Sequence, residues 1–117
     1  MTKEKMRLIL ARCLTKPAFE YDAPTGEDWS ALEAFFGAEL PHDFKIFIEL
    51  MSEFDFPGDI YNASAKGRTN GNGDIILVYT SEIAFCDWQK ELIPFYGVGN
   101  GDYFALNSTE GKNSAVY

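Results

Sequence analysis

An α+β fold is predicted by three observations. Apolar residues recur at helical spacing through the first half of the chain. Short β-type runs fill the second half, and the two kinds of segment do not alternate. Helices first and strands afterwards is the order of a segregated domain, not of a βαβ series.

Each element has a local reason. Residues 2–14 read as a helix, with Met6, Ile9, Leu10 and Leu14 near helical spacing and charged residues between them. Lys16-Pro17 ends it, because the residue before proline is pushed out of the helical region. An acidic linker over residues 17–27 follows. Thr25, with Asp28 three residues on, forms a capping-box pair and opens a second helix to about Phe36. Its apolar stripe is Trp29, Leu32, Phe35 and Phe36, and Gly37 is a left-handed stop. Pro41 suits the first position of a third helix, where no N–H is required. Phe44, Phe47, Ile48 and Met51 then fall at i, i+3, i+4, i+7.

From Asp55 onward the character changes. Phe56–Tyr61 is turn-rich, and Lys66–Asp74 is a polar glycine-asparagine loop. Ile75-Ile-Leu-Val-Tyr79 is a continuous β-branched run, which predicts a strand inside a sheet. Thr80 or Ser81 caps a short helix carrying Ile83, Ala84 and Trp88. Leu92–Tyr96 and Tyr103–Leu106 read as strands joined by the turn Gly97–Asp102, and Ala115–Tyr117 as the start of another.

The 117 residues, 46% apolar and 15% aromatic, are enough for one domain with a substantial core. No apolar run approaches the roughly 20 residues of a membrane span. The N-terminus lacks the apolar length of a secretory signal, so a cytoplasmic protein is expected. Cys13 and Cys86 fit that compartment as reduced, buried thiols. The glycosylation-like triplets at Asn62 and Asn107 then carry no meaning.

The net charge of −8 is unevenly spread. Residues 1–16 hold Lys3, Lys5, Arg7, Arg12 and Lys16 against Glu4 alone. Residues 17–62 hold eleven carboxylates against Lys45. Such a surface repels phosphate backbones and steers a basic partner instead, although an acidic exterior also simply favours solubility.

No arrangement of residues supplies a reaction. His42 is the single histidine, which excludes a histidine metal cluster and an imidazole relay. Neither cysteine stands at a spacing that pairs it with His42. The Asp55 and Asp59 pair is what abundant carboxylates produce by chance. Gly97–Asp102 lacks the Gly-Lys-Ser/Thr ending of a phosphate loop. Asn70–Asp74 misses the calcium-loop spacing and its closing Glu. No catalytic residue, metal or cofactor is expected.

Taken as a pair, two stretches carry a resemblance. A Trp29-x-x-Leu32-Glu33 helix, a glycine, the Leu40-Pro41 junction and an Asp43-Phe44-Lys45 helix are followed by Ile93-Pro94-Phe95, Gly99-x-Gly101-Asp102 and Phe104-x-Leu106. Their order over residues 25–117 resembles the SUKH superfamily of Smi/Knr-type cell-wall-assembly regulators and bacterial toxin-immunity proteins. The resemblance implies one SUKH-like domain, with N-terminal helices packed beside a curved, mostly antiparallel sheet. It also implies a non-enzymatic binding role.

The residues at signature positions are Trp29, Leu32, Glu33, Leu40, Pro41, Phe44, Pro94, Gly101, Asp102 and Phe104, read as fold-determining. Leu32, Leu40, Phe44 and Phe104 are expected to pack together, and Asp102 to accept backbone N–H bonds in its turn. Two departures from the pattern stand out. Members usually continue past the position of Tyr117, so the chain is either a short member or incomplete. The Glu53–Gly58 segment also lacks the Asn-Gly that often follows the third helix.

With the acidic balance, the resemblance implies an immunity protein that blocks a basic, nuclease-type toxin. The alternative is a regulatory or scaffold module linked to cell-wall assembly. Glu49, Glu53, Asp55 and Asp59, with exposed aromatics such as Tyr61 as anchors, are the candidate contact residues.

Overall fold

The computed structural model describes residues 1–16, 22–63, 74–99 and 101–117. Residues 17–21 of the acidic linker, residues 64–73, which take in the polar loop as far as Gly73, and Asn100 of the glycine turn lie outside the described residues.

Three helices open the chain: α1 (Lys3–Cys13), α2 (Gly26–Phe36) and α3 (His42–Leu50), the last running into a short 3-10 turn at Met51–Glu53. Local chemistry sets their ends. The Thr25 hydroxyl accepts from the Asp28 N–H, while the Asp28 carboxylate accepts from the Thr25 N–H at 2.8 Å. Gly37 closes α2 at φ 66°, a conformation that costs a residue with a Cβ. Pro41 sits just outside α3 as its N-cap, one residue earlier than the expected first helical position.

The sheet is antiparallel and three-stranded, in the order β1 (Asp59–Ile60), β2 (Leu92–Gly97), β3 (Tyr103–Asn107). Register pairs Ile60 with Tyr96 and Ile93 with Leu106. An irregularity between Pro94 and Tyr96 lets β2 bury Ile93, Pro94 and Phe95 in succession. At the far edge Ala105 and Tyr117 exchange main-chain bonds of 2.9 Å, so the end of the chain meets β3 in an isolated bridge and not in the further strand expected of Ala115–Tyr117.

One apolar cluster joins the layers. Trp29 and Leu32 of α2, Phe44 and Ile48 of α3, Ile60 of β1, and Ile93, Phe95 and Leu106 of the hairpin all belong to it. Phe44 stands edge-on to Trp29 at 5.9 Å and to Phe95 at 5.1 Å, a favourable aromatic geometry.

Five sequence expectations are corrected. Ile75–Tyr79 is not a strand but the first half of α4 (Ile75–Phe85). Asp74 wins over β-propensity here, because its carboxylate accepts the Leu77 N–H at 2.7 Å and caps the helix. Trp88 falls beyond the end of α4, its indole N–H bonded to the Leu92 carbonyl. Cys13 and Cys86 are exposed thiols, not buried ones. Phe104 points away from the core and is 47% exposed, stacked edge-on against Tyr96. Finally, α1 buries none of its residues, and Ile9 lies on its outer face.

Candidate functional site

The proposed contact residues fall into three settings. Glu49 and Glu53 lie on the face of α3 and its extension that carries α1. The carboxylate of Glu49 accepts from the Trp29 indole at 2.8 Å and from Lys3 at 3.0 Å. Glu53 receives the two-pronged guanidinium of Arg7 at 2.8 and 3.0 Å, and Arg7 also reaches Glu4. This bonding to Arg7 holds the Glu53 carboxyl below its ordinary value. The basic start of the chain thus neutralises part of the acidic stretch.

Asp55 and Asp59 do come together. Both line a cavity of about 210 Å³ floored by Met51, Phe54 and Ile60. Both are exposed. The Asp55 N–H bonds the Thr15 carbonyl at 2.8 Å, which ties this loop to the end of α1.

Tyr61 stands apart and is half-buried, not exposed as expected, because it packs against the core and tilts against Tyr103 at 6.2 Å. Burial, with the charge of Asp59 adding to it, pushes its hydroxyl pKa up. Tyr103 donates to Glu82 at 2.7 Å, and that bond raises its own pKa strongly. Raised values keep both phenols protonated near neutrality, so each retains an O–H to donate. The Tyr61 hydroxyl fits because residue 97 is glycine: a Cβ there would lie 2.5 Å from it.

A larger groove of about 790 Å³ was not legible in the sequence. It runs between the start of α3 (Pro41, His42), the aromatics Phe47 and Phe95, Met6 of α1 and Val116. Its lining is mostly apolar. His42 lies on its wall, but neither cysteine does. Bonding to Glu82 raises the Cys86 pKa, which makes that thiol a weaker nucleophile near neutrality. Among the described residues, no group of three or more His, Cys, Asp or Glu is placed to hold a metal ion. Among them, too, no helix is long and apolar enough to cross a membrane.

The signature residues explain why the frame takes this shape. Glu33 on α2 accepts the Leu40 N–H at 2.7 Å and Lys45 at 3.1 Å, so one carboxylate fixes the Leu-Pro junction between α2 and α3. Trp29 bridges core and rim through its bond to Glu49. Leu32, Leu40 and Phe44 are buried together. Gly101 occupies φ 92°, and the Asp102 carbonyl accepts from Val98 at 3.2 Å across the turn.

A family model described as SMI1-KNR4 cell-wall, SUKH_5, matches residues 6–117. The chain belongs to the SUKH_5 family. The match begins at Met6, so it takes in most of α1, a helix outside the stretch that carried the sequence resemblance. No curated protein and no solved structure matches the chain. Membership of SUKH_5 supports, in general terms, a binding module of the immunity or Smi/Knr-regulatory kind.

Proposed function

We propose that this SUKH_5 protein is a cytoplasmic immunity protein that neutralises a cognate, nuclease-type toxin by direct binding and catalyses nothing itself. One observation carries the reading: the excess of carboxylates in residues 17–62, of which Asp55 and Asp59 stand exposed on one cavity beside the Glu49–Glu53 face. A nuclease active site is basic because it binds phosphates, and an acidic surface complements it and speeds encounter. Tyr61, at the other end of β1, is the candidate aromatic anchor. The test is co-expression with the secreted toxin encoded by the adjacent reading frame. Rescue of growth and co-purification are expected, and the absence of both removes the proposal.

The cell-wall description of the matched family favours a second reading, a Smi/Knr-like regulatory or scaffold module. A deletion that weakens the cell envelope in a strain with no adjacent toxin would select it.

A further inference from the structure

The α3 helix is buried on two faces. Phe44, Ile48 and Met51 face the main core. Ile46, Glu49, Leu50 and Glu53 fall at i, i+3, i+4, i+7 on another face, where Ile46 is 5% and Leu50 0% exposed. The two carboxylates of that second face are the ones that Lys3 and Arg7 of α1 engage. On α1, Lys3, Met6, Arg7 and Leu10 share the spacing that turns toward this face, and none of them is fully buried. Leu8 is 60% exposed on the opposite side. The contact thus combines partial apolar cover with ion pairs, and ion pairs at this exposure are screened by salt. Segments held in this way open with less free energy than the core requires.

We propose that α1 is a displaceable strap, occupying within the chain the face at which a cationic amphipathic helix of the partner docks. Its functional meaning rests on the reading above that the partner is basic. The partner's kind follows from what already sits there: a helix with Lys or Arg at i and i+4 and aliphatic residues at i+3 and i+7, laid along an acid-rimmed apolar strip. Arg7 supplies the specificity, since its guanidinium meets Glu53 through two parallel bonds. Binding in trans then requires release of the strap, which lowers the apparent affinity by the fraction of molecules that are open.

The test uses the full chain and a synthetic peptide of residues 1–16 as probe. Three proteins are compared: the natural chain, the double variant Lys3→Ala/Arg7→Ala, and the double variant Lys5→Ala/Arg12→Ala. The last removes the same charge from α1 but not the groups that engage Glu49 and Glu53. In Lys3→Ala/Arg7→Ala, amides of α1 should exchange with solvent about tenfold faster or more, while those of α3 and β2 keep their protection. The peptide should bind that variant about tenfold tighter than either other protein, and high salt should weaken the binding. Equal α1 protection in all three proteins would overturn the strap. So would loss of α3 protection together with α1, or an open α1 with no gain in peptide binding. None of these readouts involves a toxin, so failure of the strap and failure of the immunity reading are separately visible.

Discussion

The Glu33 carboxylate accepts the main-chain N–H of Leu40 at 2.7 Å while its other oxygen takes Lys45 at 3.1 Å. A single side chain on α2 therefore sets where the chain turns and where α3 begins. Replacing Glu33 with Ala leaves the Leu40 N–H without this acceptor, at a cost of about 1–3 kcal/mol. Glu33→Gln keeps a carbonyl for that N–H and loses less. Thermal unfolding of the two variants beside the natural chain checks the order.

Gly97 and Tyr61 are coupled by space. Gly97→Ala places a methyl 2.5 Å from the Tyr61 hydroxyl oxygen and lowers the melting temperature. In a Tyr61→Phe background that atom is gone, so the same change should cost less. A double-mutant cycle should show a favourable coupling of about 0.5–3 kcal/mol.

Asp74 caps α4 through the Leu77 N–H. Asp74→Ala should destabilise the protein by about 0.5–2 kcal/mol, and Asp74→Asn, which retains an acceptor oxygen, by less. Denaturant unfolding at constant slope reads this directly.

The seat of α1 should respond to acid. Arg7 lowers the Glu53 pKa below 4.5, so the ion pair contributes in full above that value. Its contribution is lost as pH falls from about 4.5 through the lowered value, because the unfolded state takes up the proton first. Hydrogen exchange of α1 should accelerate over that window ahead of global unfolding. In Glu53→Gln the exchange should already be fast at neutral pH and should lose the component of the acid response that belongs to Glu53.

The helix ends were legible because they are local. Thr25 with Asp28, Gly37 and Pro41 each act within a few residues, so spacing alone exposes them. α4 was misread because Ile75–Tyr79 carries the β-branched character of a strand, and the deciding group, Asp74, sits just outside the run. Two signals pointed the other way: an Asp immediately before the apolar run, and a run that continues to Phe85 across Thr80–Glu82, longer than an ordinary strand. The candidate site was only half legible. Carboxylates announce charge, but not that Lys3 and Arg7, more than forty residues away, already cover two of them. The groove beside His42 was hidden for the same reason, since its walls come from three distant parts of the chain.

Asp55→Asn/Asp59→Asn should slow association with a basic partner severalfold to about tenfold while leaving the melting temperature nearly unchanged. Both carboxylates are exposed, so their removal leaves the core intact.

The most direct measurement is the rate of association between this protein and the toxin of the adjacent reading frame, followed by stopped-flow mixing across a range of salt. A one-to-one complex is predicted, with a rate that falls steeply as salt rises and less steeply for Asp55→Asn/Asp59→Asn. No complex, or a rate indifferent to both salt and those two substitutions, would contradict recognition through an acidic face.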